Sequence, residues 1–108
     1  MSNMGREPLL RERRLLAHDT FVELVVWEVA APVRGSAHRF KYRLALVVAG
    51  RCVLRYDNEA GKGDHKHFEG VETPYSFTGP APLLADFWKD VDSWRRNDAE
   101  RNPGDLLT

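Results

Sequence analysis

Hydrophobic and polar positions along the chain divide it into short extended stretches followed by one helical stretch. Thr20–Val29 reads TFVELVVWEV, dense in β-branched and aromatic residues, and predicts a strand. Pro32, Gly35 and Ser36 end it. Arg39–Val48 and Cys52–Asp57 form the arms of an expected hairpin around Ala49-Gly50. Leu9–Leu16 (LLRERRLL) fits a strand and a short helix equally, with Ala17–Thr20 as a turn. Asn58–Val71 reads as a polar loop punctuated by Gly61, Gly63, Asp64 and Gly70, and Thr73–Phe77 as a short edge strand because of Pro74. Thr78-Gly79-Pro80 opens a helix on which Leu83, Leu84, Phe87, Trp88, Val91 and Trp94 recur at helical spacing.

The hairpin register decides which side chains share a face. A two-residue loop pairing Val48 with Arg51 sets Leu44 opposite Arg55 and mixes the two chemistries. A three-residue loop with Gly50 as a bulge groups Phe40, Tyr42, Leu44, Leu46, Cys52, Leu54 and Tyr56 on one face. Arg39, Lys41, Arg43, Ala45, Val53, Arg55 and Asp57 then share the other. Burial of one face normally selects register, so the second arrangement is expected. It sets Arg43 beside Arg55 and Asp57 near Lys41. The expected fold is α+β: an antiparallel sheet of about four to five strands, one face covered by the C-terminal helix and the other partly open. Residues 9–96 form the domain, between a flexible N-terminus (1–8) and a flexible tail (97–108). The three tryptophans, Tyr42 and Tyr56 fit core positions.

Composition adds limits. A chain of 108 residues holds one domain, and 16 basic against 16 acidic residues leave net charge uninformative about a nucleic-acid partner. The single cysteine, Cys52, cannot form an internal disulfide, and residues 1–20 hold no apolar run of the kind a signal peptide needs. No stretch approaches the roughly 20 apolar residues of a membrane span. A cytoplasmic protein without membrane attachment is expected.

Candidate chemistry lies on the open face. Like charges placed opposite one another destabilise a sheet pair, so Arg39, Lys41, Arg43 and Arg55 together call for an anion such as a phosphate backbone, with Asp57 neutralising one of them. The ordinary alternative is a solvated face with scattered ion pairs. His65-Lys66-His67 follows closely. Histidine is the usual proton carrier near neutral pH. RNA cleavage needs a base for the 2′-hydroxyl, an acid for the leaving oxygen and a cation for the phosphorane. His65 and His67 with Arg55 or Arg43 supply that set, with Asp57 orienting a histidine. Two exposed loop histidines are the plain alternative. A metal reading, His65-x-His67 with Asp57, Asp64 or His38, lacks zinc-site spacing, so neither a metal nor another cofactor is expected. Lys62, between Gly61 and Gly63, is a further phosphate contact, and Tyr75 is free to stack on a base.

Lys41–Ala45, Val53-Leu54-Arg55-Tyr56-Asp57-Asn58-Glu59, Gly61–His67, Glu72–Phe77 and Asp86-Phe87 together resemble the TumE family, across about Leu10–Arg95. The RYDN segment followed by His-x-His is the specific part. The resemblance implies the toxin of a type II toxin–antitoxin pair whose free form arrests its bacterial host. It also implies a neighbouring antitoxin, usually a helix-turn-helix DNA-binding protein. It supplies no catalytic residues. A small antiparallel-sheet toxin of the RelE type, which binds RNA on a basic face, is the fold-level analogy. The leading expectation is action on RNA or the ribosome by metal-independent cleavage or translation inhibition. The alternatives are a non-enzymatic binder or regulatory partner and, further off, a metal-dependent nuclease. Self-association is left open.

Overall fold

A computed structural model describes residues 7–101. Its order is β1 (Leu10–Ala17), β2 (Thr20–Glu28), β3 (Phe40–Val48), β4 (Arg51–Glu59), β5 (Gly63–Phe68), β6 (Val71–Pro74) and α1 (Pro80–Arg101). The strands form one antiparallel meander in sequence order, with β1 and β6 at its edges. The class is the α+β expected, but the sheet has six strands, not four to five. Leu9–Leu16 resolves as β1. The supposed loop 58–71 contains the end of β4 and all of β5. α1 extends to Arg101, into the stretch expected to be a tail; residues 1–6 and 102–108 of the expected flexible ends lie outside the described residues.

The alternation of β2 and β3 explains the core. Val22, Leu24, Val26, Tyr42, Leu44, Leu46, Leu54 and Tyr56 point to one side and pack with Leu83, Phe87, Val91 and Trp94 of α1. Burial of this apolar area is the dominant favourable term in folding. Polar groups fix how the helix lies. The Tyr56 hydroxyl donates to Asp90 Oδ2 at 2.5 Å, where Lys66 Nζ also lies at 2.8 Å. The Trp94 ring N–H donates to Glu69 at 2.8 Å. Phe77 stacks on His38 and Tyr42, with ring centroids 3.8 and 5.5 Å apart, and ties the β6–α1 connection to β3.

The β3–β4 hairpin segregates apolar from charged side chains by a route other than the one expected. The turn has two residues: Val48 pairs with Arg51, and Ala49 and Gly50 both have positive φ (51° and 78°), as a type I′ turn requires. The shift comes one step later, where β4 bulges at Val53 between the pairs Val47–Cys52 and Leu46–Leu54. Both Val53 and Leu54 are buried, while Cys52 is exposed opposite Val47 instead of lying on the apolar face. Beyond the bulge, Leu44 meets Tyr56, Ala45 meets Arg55 and Arg43 meets Asp57. Arg43 and Arg55 are therefore not side by side: the two-residue turn and the bulge each move the register by one residue from the expected one and together give Arg43 an acidic neighbour.

Candidate functional site

The face away from α1 carries Arg11, Arg13, Glu23, Lys41, Arg43, Arg55 and Asp57, whereas Arg14 and Lys66 turn to the helix side, against Trp88 and Asp90. Pairing in register aligns Arg11 with Val25, Arg13 with Glu23, Trp27 with Lys41 and Val25 with Arg43. Trp27 belongs to this face and is half-buried, so it is not the core residue its strand suggested. The Arg11 guanidinium lies 5.8 Å from the Trp27 ring centroid and that of Arg13 lies 4.1 Å from Phe21. Val25, Trp27, Lys41 and Arg43 line a shallow groove of about 210 Å³. The basic residues are thus interleaved with aromatic surface, which sequence reading missed by treating β1 as ambiguous and Trp27 as buried.

At the β4–β5 end of this face the polar residues converge. Strand alternation puts Arg55, Asp57 and Glu59 on the open side. Antiparallel pairing brings His67 opposite Arg55 and His65 opposite Asp57. The next hairpin sets Glu72 opposite His67. Arg55 Nε lies 3.2 Å from Asp57 Oδ2, and His65 Nε2 lies 2.6 Å from Asp57 Oδ1. Glu72 reaches both histidines, at 3.5 Å from His65 Nε2 and 3.2 Å from His67 Nε2, with Lys62 Nζ 3.6 Å away. Contact with the His67 ring, then the charges of Lys62 and the two histidines, hold the Glu72 carboxyl below the ordinary glutamate range. The two histidines differ in access: the side chain of His65 is 5% exposed and that of His67 is 35%.

Close approach here is not the same as hydrogen bonding. Arg55 Nε, Asp57 Oδ1, His65 Nε2 and His67 Nε2 are buried atoms without an aligned hydrogen-bond partner. His65 is oriented from its other side, by Nδ1 at 3.1 Å from the Gly63 carbonyl. Buried polar atoms are normally satisfied, so four such atoms in one cluster set it apart as the candidate site.

The structure thus brings together Arg55, Asp57, His65, His67 and Lys62 of the expected site. Arg43 joins them as the cross-strand neighbour of Asp57, and Lys41 is exposed farther along the same face. Arg39 lies just before β3 and lines a separate cleft with Glu28 and Val29. Tyr75 is not free to stack: it is half-buried, edge-on to Tyr56, and its hydroxyl donates to Asp86 at 2.5 Å. Burial first, then that carboxylate, raises its pKa above the ordinary tyrosine value. Glu59 and Glu72 were missed. The Asp57-x-Glu59 alternation and the Glu69-Gly70 turn ahead of Val71 were the available signals, both hidden by reading 58–71 as a loop.

Asp64 and His38, named in the metal reading, lie apart from this cluster. Asp64 accepts from Ser36 Oγ at 2.6 Å and from the Tyr42 hydroxyl at 2.7 Å, with His38 Nε2 2.6 Å away. The Phe40 N–H donates to His38 Nδ1, so the ring proton is on Nε2 and points at Asp64. These contacts pin the β2–β3 connection to β5.

A helix-covered core backed by an open charged face, ending in an Arg–Asp–His–Glu cluster, defines a small α+β protein. The family model described as Toxin TumE matches residues 6–95, and the chain belongs to that toxin family. A toxin of this family implies a cognate antitoxin. No curated protein and no solved structure matches the chain. Among the described residues no helix is long and apolar enough to cross a membrane.

Proposed function

We propose that this protein is the toxin of a type II toxin–antitoxin module and acts on RNA, free or ribosome-bound, through the open sheet face in the cytoplasm. The observation that supports this most is the cluster Arg55–Asp57–His65–His67–Glu72 at the end of a face carrying Arg11, Arg13, Lys41 and Arg43 beside Phe21 and Trp27. The basic side chains would follow the phosphate backbone, and the aromatic surface suits unstacked bases.

In this reading His67 is the proton carrier, because it combines a basic neighbour, Arg55, with access to solvent. Arg55 and Arg43 would meet the scissile phosphate, as guanidinium groups suit phosphate oxygens geometrically. Asp57 and His65 are too enclosed to meet the 2′-hydroxyl directly and act as positioning residues for Arg55. Cleavage requires a ribose hydroxyl poised over the β4–β5 pair.

The test is induced expression of the chain, alone and with its neighbouring gene, with RNA 5′ ends mapped after induction. Arrest relieved by the neighbour, with new ends that vanish in soluble, folded His67→Gln and Arg55→Ala proteins, supports the proposal. Full toxicity in both variants sinks the site assignment. A second reading, RNA or ribosome occlusion without cleavage, is favoured by the burial of His65, which leaves His67 as the accessible imidazole of the cluster. Arrest with intact RNA would select it. The antitoxin is expected to be a helix-turn-helix DNA-binding protein with an acidic segment that competes for the same face.

A further inference from the structure

The two most enclosed side chains of the cluster are aimed at each other without a hydrogen bond, and a third donor completes a set that fits a cation. Asp57 uses Oδ2 on Arg55 Nε at 3.2 Å and leaves Oδ1 toward His65. Oδ1 and His65 Nε2 are 2.6 Å apart, yet neither has an aligned partner. A carboxylate lying on the axis of a ring N–H would form a strong charge-assisted bond; here the axis of the ring nitrogen passes to one side of the oxygen. Two ligands that share an ion also point past each other, at about 3 Å or more, so this pair would open by roughly half an ångström to admit one. Glu59 lies two residues along β4 and so on the same face, and one ligand atom from each of Asp57, Glu59 and His65 lies within 4.8 Å of the others. Opposite Glu59 stands Gly63, which has no side chain to fill the space. A Cβ at Gly63 would come within 2.7 Å of the Gly35 carbonyl oxygen, so no side chain fits there and Glu59 faces backbone across the pair.

We infer that Asp57, Glu59 and His65 form a binding site for one divalent transition-metal ion, of the Mn²⁺ or Zn²⁺ class. One imidazole with two carboxylates is a borderline donor set of the kind those ions accept. Glu72 Oε2, 3.5 Å from His65 Nε2, is a further carboxylate oxygen close by. The orientation of His65 supports this: its Nδ1 is held by the Gly63 carbonyl, the outer contact that metal-bound histidines commonly make, leaving Nε2 as the ligand atom. The separate His38–Asp64 pair is unsuited, because both nitrogens of His38 and both oxygens of Asp64 are already engaged. Ion binding stands independently of the RNA proposal. If RNA is the target, the ion and Arg55, joined through the two oxygens of Asp57, would face one phosphate together.

The test uses the full chain freed of metal by chelator and dialysis, titrated with Mn²⁺ by electron paramagnetic resonance and with Zn²⁺ by calorimetry. One equivalent per chain is expected. Affinity should fall at least tenfold in Glu59→Gln and in His65→Gln, and stay within twofold in His67→Gln and Asp64→Asn. Glu59 is exposed, so its variant should fold, and circular dichroism verifies that before titration. Absence of stoichiometric binding at millimolar ion, or binding undiminished in folded Glu59→Gln, overturns the inference. Loss of binding in His67→Gln but not in Glu59→Gln overturns it too, by moving the ion to the Glu72 side of the cluster.

Discussion

Asp57 and His65 face each other across the β4–β5 pair with carboxylate and imidazole atoms 2.6 Å apart, and both side chains are more than nine-tenths buried. Asp57 therefore carries two obligations, the His65 ring and the Arg55 guanidinium. Removing it in Asp57→Ala leaves a partly buried cation without its counter-charge, a change that costs about 3 kcal/mol. Urea unfolding measures this, and a loss below 1 kcal/mol would show the pair to be solvated.

The open face makes a separate prediction about salt. Arg43 and Lys41 are exposed on adjacent turns of β3's pleat and lie beside Trp27 and Val25. If each contacts one phosphate, each alanine variant should lower the slope of log affinity against log salt for single-stranded RNA by about 0.7. Fluorescence anisotropy with a labelled oligonucleotide at several salt concentrations gives the slope. Weakened binding with an unchanged slope would place these residues off the phosphate path.

Asp64 sets an acid limit on stability. Burial alone would raise its pKa, but hydrogen bonds from Ser36, Tyr42 and His38 outweigh that and hold it below the ordinary 3.8. A lowered folded-state pKa means that the stabilisation is complete above the unfolded value and is lost as pH falls through the folded one. Stability of the native chain should therefore drop as pH falls below about 4. Asp64→Asn should be less stable at pH 7 and should flatten that drop. Thermal melts between pH 2.5 and 7 follow both, and an unchanged acid limb would remove Asp64 as its source.

Ala49 occupies the first central position of the β3–β4 turn with φ 51°. A left-handed conformation costs an ordinary residue about 1–2 kcal/mol, and Asn or Gly much less. Ala49→Asn should stabilise the protein by about 0.5–1 kcal/mol without moving the register, read as a higher urea midpoint at constant slope. No gain would mean that the turn relaxes away from that conformation.

The sequence by itself determined the class of fold and much of the site. Alternation in TFVELVVWEV and in the β3 segment, together with the Leu83–Trp94 stripe, makes an antiparallel sheet under one helix the arrangement that buries most apolar surface. The demand that apolar and charged side chains separate placed Arg43, Arg55 and Asp57 on the side away from the helix, although the loop expected to achieve it is not the one formed. Only the tertiary structure decided what lies opposite what. The bulge at Val53 fits two adjacent apolar residues into the core, and together with the two-residue turn it moves Arg43 from Arg55 to Asp57. GDHKHF became β5 because β4 offers it a free edge and an apolar place for Phe68, contacts absent from its own polar composition. That pairing carried His65 to Asp57 and His67 to Arg55, and the short β6 after Glu69-Gly70 added Glu72. Local pattern fixes which face a side chain takes; cross-strand neighbours depend on turn and bulge geometry, which is settled by packing the whole sheet at once.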